Sequence, residues 1–146
     1  MSDYHIHRCE TKGVDALYRD YYELVEVAAG CGLFDFIGHL DLVKKFGHRP
    51  AVDLTAAKVV LRSMAREGLA LDVNTGGWRK PARDLYPSAD IPHRVRAHDV
   101  IIVFGSDAHH PREVGHRLSE AAQRAREAGC EICTAFSERR SIQAPF

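Results

Sequence analysis

Long apolar runs are missing from this chain of 146 residues. No stretch approaches the roughly 18 consecutive apolar residues that cross a bilayer, so no membrane association is expected. Net charge is missing too, because 20 Lys and Arg balance 20 Asp and Glu. A balanced surface lacks the positive field that gathers nucleic acid or anionic lipid, so no nucleic-acid partner is expected either. The first residues are acidic and histidine-rich rather than basic and then apolar, which does not fit a secretory leader. A cytoplasmic protein is expected. Internal repeats and low-complexity tracts are absent. Cysteine is sparse, with four residues at Cys9, Cys31, Cys130 and Cys133. The last two share the C-x-x-C spacing of redox and zinc sites. They fall in "CEICTAF", however, which reads as a strand after a helix ended by Gly129, and residues three apart on a strand face opposite sides. Structural thiols are expected there.

What remains is 45% hydrophobic and 27% charged, an ordinary globular composition. The length suits one domain, residues 1–146, with a core of its own. The anomaly is histidine, with nine residues. Two of them stand in "DYHIH" near the start. On an extended strand His5 and His7 share a face, about 7 Å apart. Such a pair suits one metal ion, but taken alone two solvated side chains are the better reading, since a metal needs more ligands than two.

Strand-like and helix-like segments alternate along the chain. "DYHIH" is a short strand. "VDALYRDYYELVEVAAGCG" has helical periodicity through Leu17, Tyr21, Leu24, Val25 and Ala28. "FDFIG" is a second strand, and "HLDLVKKFGHRP" a loop or short helix. "DLTAAKVVLRSMAREG" is a helix capped by Asp53 or Thr55 and closed by Gly68. "LALDVN" is a third strand, and the Gly- and Pro-rich "TGGWRKPARDLYPSADIP" a long loop. "VIIVFG" reads as a strand buried on both faces. "PREVGHRLSEAAQRAREAG" is one helix with Pro111 in its first turn. "EICTAF" is a fifth strand, followed by a polar tail. This order implies an α/β fold of about five mostly parallel strands with helices outside.

The unusual polar residues all fall just past strand ends. His5 and His7 close the first strand; His39 and Asp41 follow the second. Asn74, Arg79 and Lys80 follow the third, and Asp107, His109 and His110 the fourth. That edge is where parallel α/β folds bind ligands. Four clusters on one edge favour a metal site. Imidazole and carboxylate donors suit zinc, iron or manganese, and His5, His7, His39, Asp107 and His109 are the donors on offer. They make one site and part of a second, so one or two divalent ions per chain are expected. A divalent ion acidifies its bound water toward a pKa of ~7 and supplies hydroxide at neutral pH. Arg79 and Lys80 on the same rim suggest an anionic substrate, a phosphate above all. A solvated loop is the plainer reading of that pair. His48 lies in a loop near the rim and is a further candidate for substrate contact. Asp3 and Asp41 are placed either to orient imidazoles or to cap turns. His93, His98 and His116 read as surface or helix residues.

"DYHIH", "YYELVEVAAGCGLFDFIGHLDLVKKFGHRP", "LDVNTGGWRKPARDLYPSADI" and "VFGSDAHHPREVG" together resemble the PHP (polymerase and histidinol phosphatase) superfamily, in its histidinol-phosphatase branch. The resemblance runs through most of the chain in family order. It implies a distorted (β/α)7 barrel, a multinuclear metal centre at the C-terminal strand ends, and hydrolysis of L-histidinol phosphate. By motif, His5, His7 and Asp107 look like ligands of a first metal, His39 of a second and His109 of a third. Asp107 and His109 would act through metal-bound water, and Arg79 lies in the segment resembling the phosphate-contacting loop. Several family motifs are missing between "DYHIH" and the first helix, including the glutamate that bridges two metals. The chain therefore reads as a single truncated PHP-type domain, an incomplete barrel with an internal deletion.

Five strands are too few to close such a barrel. Open edges and apolar patches favour self-association, so a homo-oligomer is expected, a dimer first. The activity implied is metal-dependent hydrolysis of a small phosphorylated metabolite such as histidinol phosphate or phosphoserine. The alternative is a metal-binding remnant or interaction module without turnover.

Overall fold

The computed structural model describes residues 13–49, 55–88 and 95–146. The expected opening strand with His5, His7 and Cys9 lies outside the described residues, as do Asp3, Asp53 and His93.

The alternation read from the sequence is present. Helix α1 spans Val14–Gly30 and strand β1 spans Phe36–Ile37. Helix α2 is Thr55–Glu67 and strand β2 is Ala70–Asn74. Strand β3 is Ile102–Gly105, helix α3 is Leu118–Glu127, and strands β4 and β5 are Ile132–Ser137 and Arg140–Pro145. One sheet holds the strands in the order β1-β2-β3-β4-β5. The first three pairings are parallel and the last antiparallel. No helix among the described residues is long and apolar enough to cross a membrane.

Why these segments form these elements is visible in the packing. Ala57, Val60, Leu61 and Met64 of α2 are all buried, at the i, i+3, i+4, i+7 spacing of one helix face. That face meets Leu71 and Val73 of β2 and Ile102 of β3 in one core. Helix α1 joins it through Tyr18, Tyr22 and Ala29, and α3 through Ala121 and Ala125. Alternate residues point to the other side of the sheet. In register, Phe36 sits beside Ala70, Asp72 beside Val103, and Asn74 beside Gly105. Asp72 and Asn74 therefore face away from the helices, at the C-terminal end of β2.

The sheet curls strongly toward that second face. The Phe36 and Phe136 rings, on β1 and β4, stack with centroids 6.1 Å apart. On a flat sheet those strands would be about 14 Å apart. Arg139, in the turn after β4, reaches Asp35 beside β1, with Nε 3.3 Å from Oδ1.

Four expectations need correction. First, the buried face of α1 lies one residue on from the expected one. Tyr18, Tyr22 and Ala29 are buried whereas Leu24 is 70% exposed. One residue is about 100° of helix rotation, and the tyrosine rings, with more area to bury than the aliphatic residues, decide the rotation. Second, the single helix expected from Pro111 is broken. Pro111–Glu113 is a short 3-10 turn, and Gly115 and Arg117 take φ of +74° and +53° before α3 begins at Leu118. Third, the Gly- and Pro-rich loop opens with a 3-10 turn over Thr75–Arg79, and Tyr86 pairs back onto Asn74 in an antiparallel bridge. Fourth, the polar tail is strand β5. Glu138 and Arg139 both take positive φ, 49° and 62°, which is the backbone of a tight two-residue hairpin turn.

Candidate metal and phosphate site

Three of the four polar clusters fall within the described residues, and all three leave the same sheet edge. His39 follows β1, the Thr75–Arg79 turn follows β2, and Asp107 follows β3. His39 and Asp107 both adopt left-handed backbone, at φ 56° and 49°. That conformation is uncommon outside glycine and needs surrounding contacts to hold it.

His39 and Asp107 come together. His39 Nε2 lies 3.6 Å from Asp107 Oδ2, both side chains being about three-quarters buried. The His39 ring stacks on Tyr86 with centroids 5.0 Å apart, and its backbone carbonyl accepts a hydrogen bond of 2.6 Å from the Tyr21 hydroxyl. His109 stands on the other side of Asp107, with Nδ1 3.9 Å from Oδ1 and 2.8 Å from the Asp107 carbonyl oxygen. The Asp107 carboxylate thus lies between two imidazoles, at 3.6 and 3.9 Å.

Space at the site is set by two glycines. A Cβ on Gly76 would stand 2.7 Å from Asp107 Cβ, and one on Gly105 would stand 2.6 Å from Asp72 Oδ1. Any side chain there would push a carboxylate out of place. Asn74 fixes the turn, its Oδ1 accepting from the Gly76 N–H at 2.8 Å while its Nδ2 donates to Asp72 Oδ2 at 2.7 Å.

Asp72 is the residue that sequence reasoning missed. It is 6% exposed, and its Oδ1 has no hydrogen-bond partner among the described residues. Burial pushes its carboxyl above the usual carboxylate range; the Asn74 hydrogen bond and the His39 imidazole oppose this, and the Asp107 charge adds to it. The signal was present in "LALDVN": an acid inside an otherwise apolar strand is rarely fully buried without a partner.

Asp41 orients no imidazole among the described residues. Its Oδ2 lies 2.7 Å from Lys44 Nζ and accepts from the Ser88 N–H at 2.8 Å. Lys44 is itself buried, lies 3.4 Å from Asp84, and donates to Ser88 Oγ at 2.7 Å and to the Leu85 carbonyl. This network ties the His39 loop to the segment carrying Tyr86. The Tyr86 hydroxyl, buried and near the Asp41, Asp107 and Asp84 charges, is pushed up to about 12.

Arg79 turns toward the Asp107 loop. Its Nη2 donates to the Ser106 and Asp107 carbonyls at 2.7 and 2.9 Å and lies 3.4 Å from Glu113 Oε2. Lys80 follows it, half-buried. His48 lies in the loop after a 3-10 turn over Leu42–Phe46, its carbonyl accepting from the Tyr18 hydroxyl at 3.1 Å. Cys130 is buried just before β4 and Cys133 is half-buried within it; both are free thiols.

The donor chemistry of His39, Asp107, His109 and the orphaned Asp72 oxygen fits a divalent cation. Among the described residues alone, no group of three or more His, Cys, Asp or Glu converges on one point. His5 and His7, the remaining expected donors, lie outside those residues.

No family model matches the chain. It is 50% identical over 128 residues to a protein of Deinococcus radiodurans named "Probable histidinol-phosphatase", covering 86% of this chain and 48% of that protein. It is 27% identical over 121 residues to the "Histidinol-phosphatase" of Bacillus subtilis (strain 168), covering 76% of this chain and 45% of that one. The chain therefore spans about half the length of the curated relatives it matches, and the similarity runs over most of its own length.

Proposed function

We propose that this chain is a metal-dependent phosphomonoesterase acting on histidinol phosphate or a similar small phosphate ester. The observation that carries the reading is the Asp107 carboxylate held between His39 and His109 at the C-terminal sheet edge, on a chain similar to proteins named histidinol-phosphatase. His39, Asp107 and His109 would hold zinc, manganese or iron together with His5 and His7, one or two ions per chain. A bound divalent cation supplies positive charge to phosphoryl oxygens and lowers the pKa of a coordinated water. The protein's own part is placement. Tyr86 fixes the His39 ring by stacking, and the left-handed Asp107 backbone points its carboxylate at His39. Arg79, Lys80 and His48 bring positive and polar groups to segments leaving the same edge, which suits a phosphate.

Self-association belongs to the same proposal. β5 is an edge strand exposed along its whole length, and Leu33, Phe34, Phe36 and Ile132 are large exposed apolar residues. A second copy covering the open sheet fits these features, and light scattering that finds a monomer across micromolar concentrations contradicts it.

The activity is tested by phosphate release from L-histidinol phosphate and phosphoserine. Release should stop with EDTA, return with Mn2+, and be lost in His39→Ala and Asp107→Ala. Metal binding without release from either ester would leave a metal-binding module instead.

A further inference from the structure

We infer that Arg79 and Glu113 form a brace that sets the ligating atoms of the loop after β3, making both of them positioning residues. The inference rests on the reading of Asp107 and His109 as cation ligands.

The Thr75–Arg79 turn docks against the 106–117 segment at three places. Thr75 Oγ1 donates to the His116 carbonyl at 2.6 Å. The Arg117 guanidinium lies over the Trp78 ring, 4.0 Å from its centroid. Arg79 Nη2 holds both the Ser106 and the Asp107 carbonyl, at 2.7 and 2.9 Å. Arg79 is therefore committed to the backbone on either side of the Asp107 nitrogen, whose residue takes a left-handed φ of 49°.

Glu113 closes the brace. Its Oε2 lies 3.4 Å from Arg79 Nη2 and accepts from the His109 N–H at 2.9 Å. The His109 ring then folds back, bringing Nδ1 to 2.8 Å from the Asp107 carbonyl oxygen. A carbonyl oxygen only accepts, so Nδ1 must carry the proton. The lone pair of the neutral ring is then on Nε2, on a side chain that is 75% exposed. A ligand imidazole with its other nitrogen tied to a carbonyl is fixed in tautomer and direction, and losing such an outer contact lowers metal affinity about ten- to a hundredfold. Toward the cation, Arg79 and Glu113 act through Asp107 and His109.

The test has a part that needs no metal. In the metal-free native chain at pH 8, 15N NMR of the His109 ring should show the Nδ1–H tautomer. Mn2+ titration of the full chain should then show affinity falling about ten- to a hundredfold in Arg79→Met and Glu113→Ala. Glu113→Gln keeps an oxygen for the His109 N–H and should stay closer to native. Circular dichroism and urea midpoints establish that each variant is folded. An Nε2–H tautomer in the native chain overturns the brace. So does native Mn2+ affinity in Arg79→Met with only KM raised, which would make Arg79 a substrate contact. If the native chain binds no Mn2+, the cation reading fails, and the tautomer alone decides whether the brace exists.

Discussion

Replacing Lys44 by methionine isolates the most buried ion pair among the described residues. The Lys44 and Asp41 side chains are 1% and 3% exposed, and their charged atoms are 2.7 Å apart. Met preserves most of the stem and removes the charge. Asp84 keeps Arg49 at 3.2 Å and the Leu85 N–H at 2.9 Å. Asp41 keeps the Ser88 N–H and side chain, both neutral, so its carboxylate is the less compensated group. Breaking one side of a buried pair costs about 3–5 kcal/mol, a large share of the ~5–15 kcal/mol that holds a domain folded. With a urea m-value of about 1–3 kcal/mol/M, the midpoint should fall by at least ~1 M. Asp41→Asn combined with Lys44→Met removes the stranded charge and should recover a clear part of the loss.

The pH dependence has a defined sign. Burial raises the Asp41 carboxyl even with Lys44 beside it, and removing Lys44 raises it further. A folded-state acid with a raised pKa binds more protons than the unfolded chain, so stability falls as pH rises through that window. Burial also acts to raise Asp84, but Lys44 and Arg49 outweigh it and hold that carboxyl below the usual range. Asp84 therefore stabilises the native chain above the ordinary value of about 3.9, and this is lost as pH falls through its depressed value. Both effects make the deficit of Lys44→Met largest near neutrality and smaller in acid. A loss under ~1 kcal/mol at pH 7, or a double variant no better than the single one, would refute the buried pair.

Three further outcomes are expected. Leu61→Ala, at a fully buried site, should cost about 2–5 kcal/mol, while Leu24→Ser on the exposed face of α1 should stay within about 0.5 kcal/mol; comparable losses in urea melts would contradict the face assigned to α1. Gly76→Ala should place a methyl against Asp107, cost about 1–3 kcal/mol, and lower kcat by about a hundredfold through misplacement of the carboxylate on the order of 1 Å; steady-state kinetics on the Mn2+-loaded chain measure it. Replacing Glu138-Arg139 by Asn-Gly should raise stability by about 1 kcal/mol or more, because two side chains leave the strained left-handed region; a lower thermal midpoint would contradict the turn.

Strands β1 to β4, two of the helices and the shared edge were legible because each rests on local pattern. The i, i+3, i+4, i+7 series of α2 and the apolar run of β3 need no partner to be recognised. The nearness of His39, Asp107 and His109 was legible because ligand-type residues clustered after strands. What escaped depends on contacts between distant segments. The face of α1 was ambiguous because apolar residues ring it, and tyrosine packing settled it. β5 escaped because its turn is Glu-Arg, with no Asn or Gly to mark positive φ. The helix expected from Pro111 ran through Gly115, whose N–H is taken by Ser106 Oγ at 3.2 Å. Asp72 escaped because its face of β2 shows only once β3 and Gly105 are beside it. Arg79 also grips two backbone carbonyls through Nη2 while its buried Nη1 has no partner among the described residues, an arrangement that only the fold of the 106–117 loop decides.

The central claim is a divalent cation held by Asp107 and its flanking imidazoles. The most direct measurement is elemental analysis of the purified, Mn2+- or Zn2+-loaded full chain, after gel filtration, beside Asp107→Ala. At least one ion per native chain, with one or more ions lost in a folded Asp107→Ala, is the predicted result. A native chain that retains no metal, or a variant that retains as much as the native chain, would contradict the account.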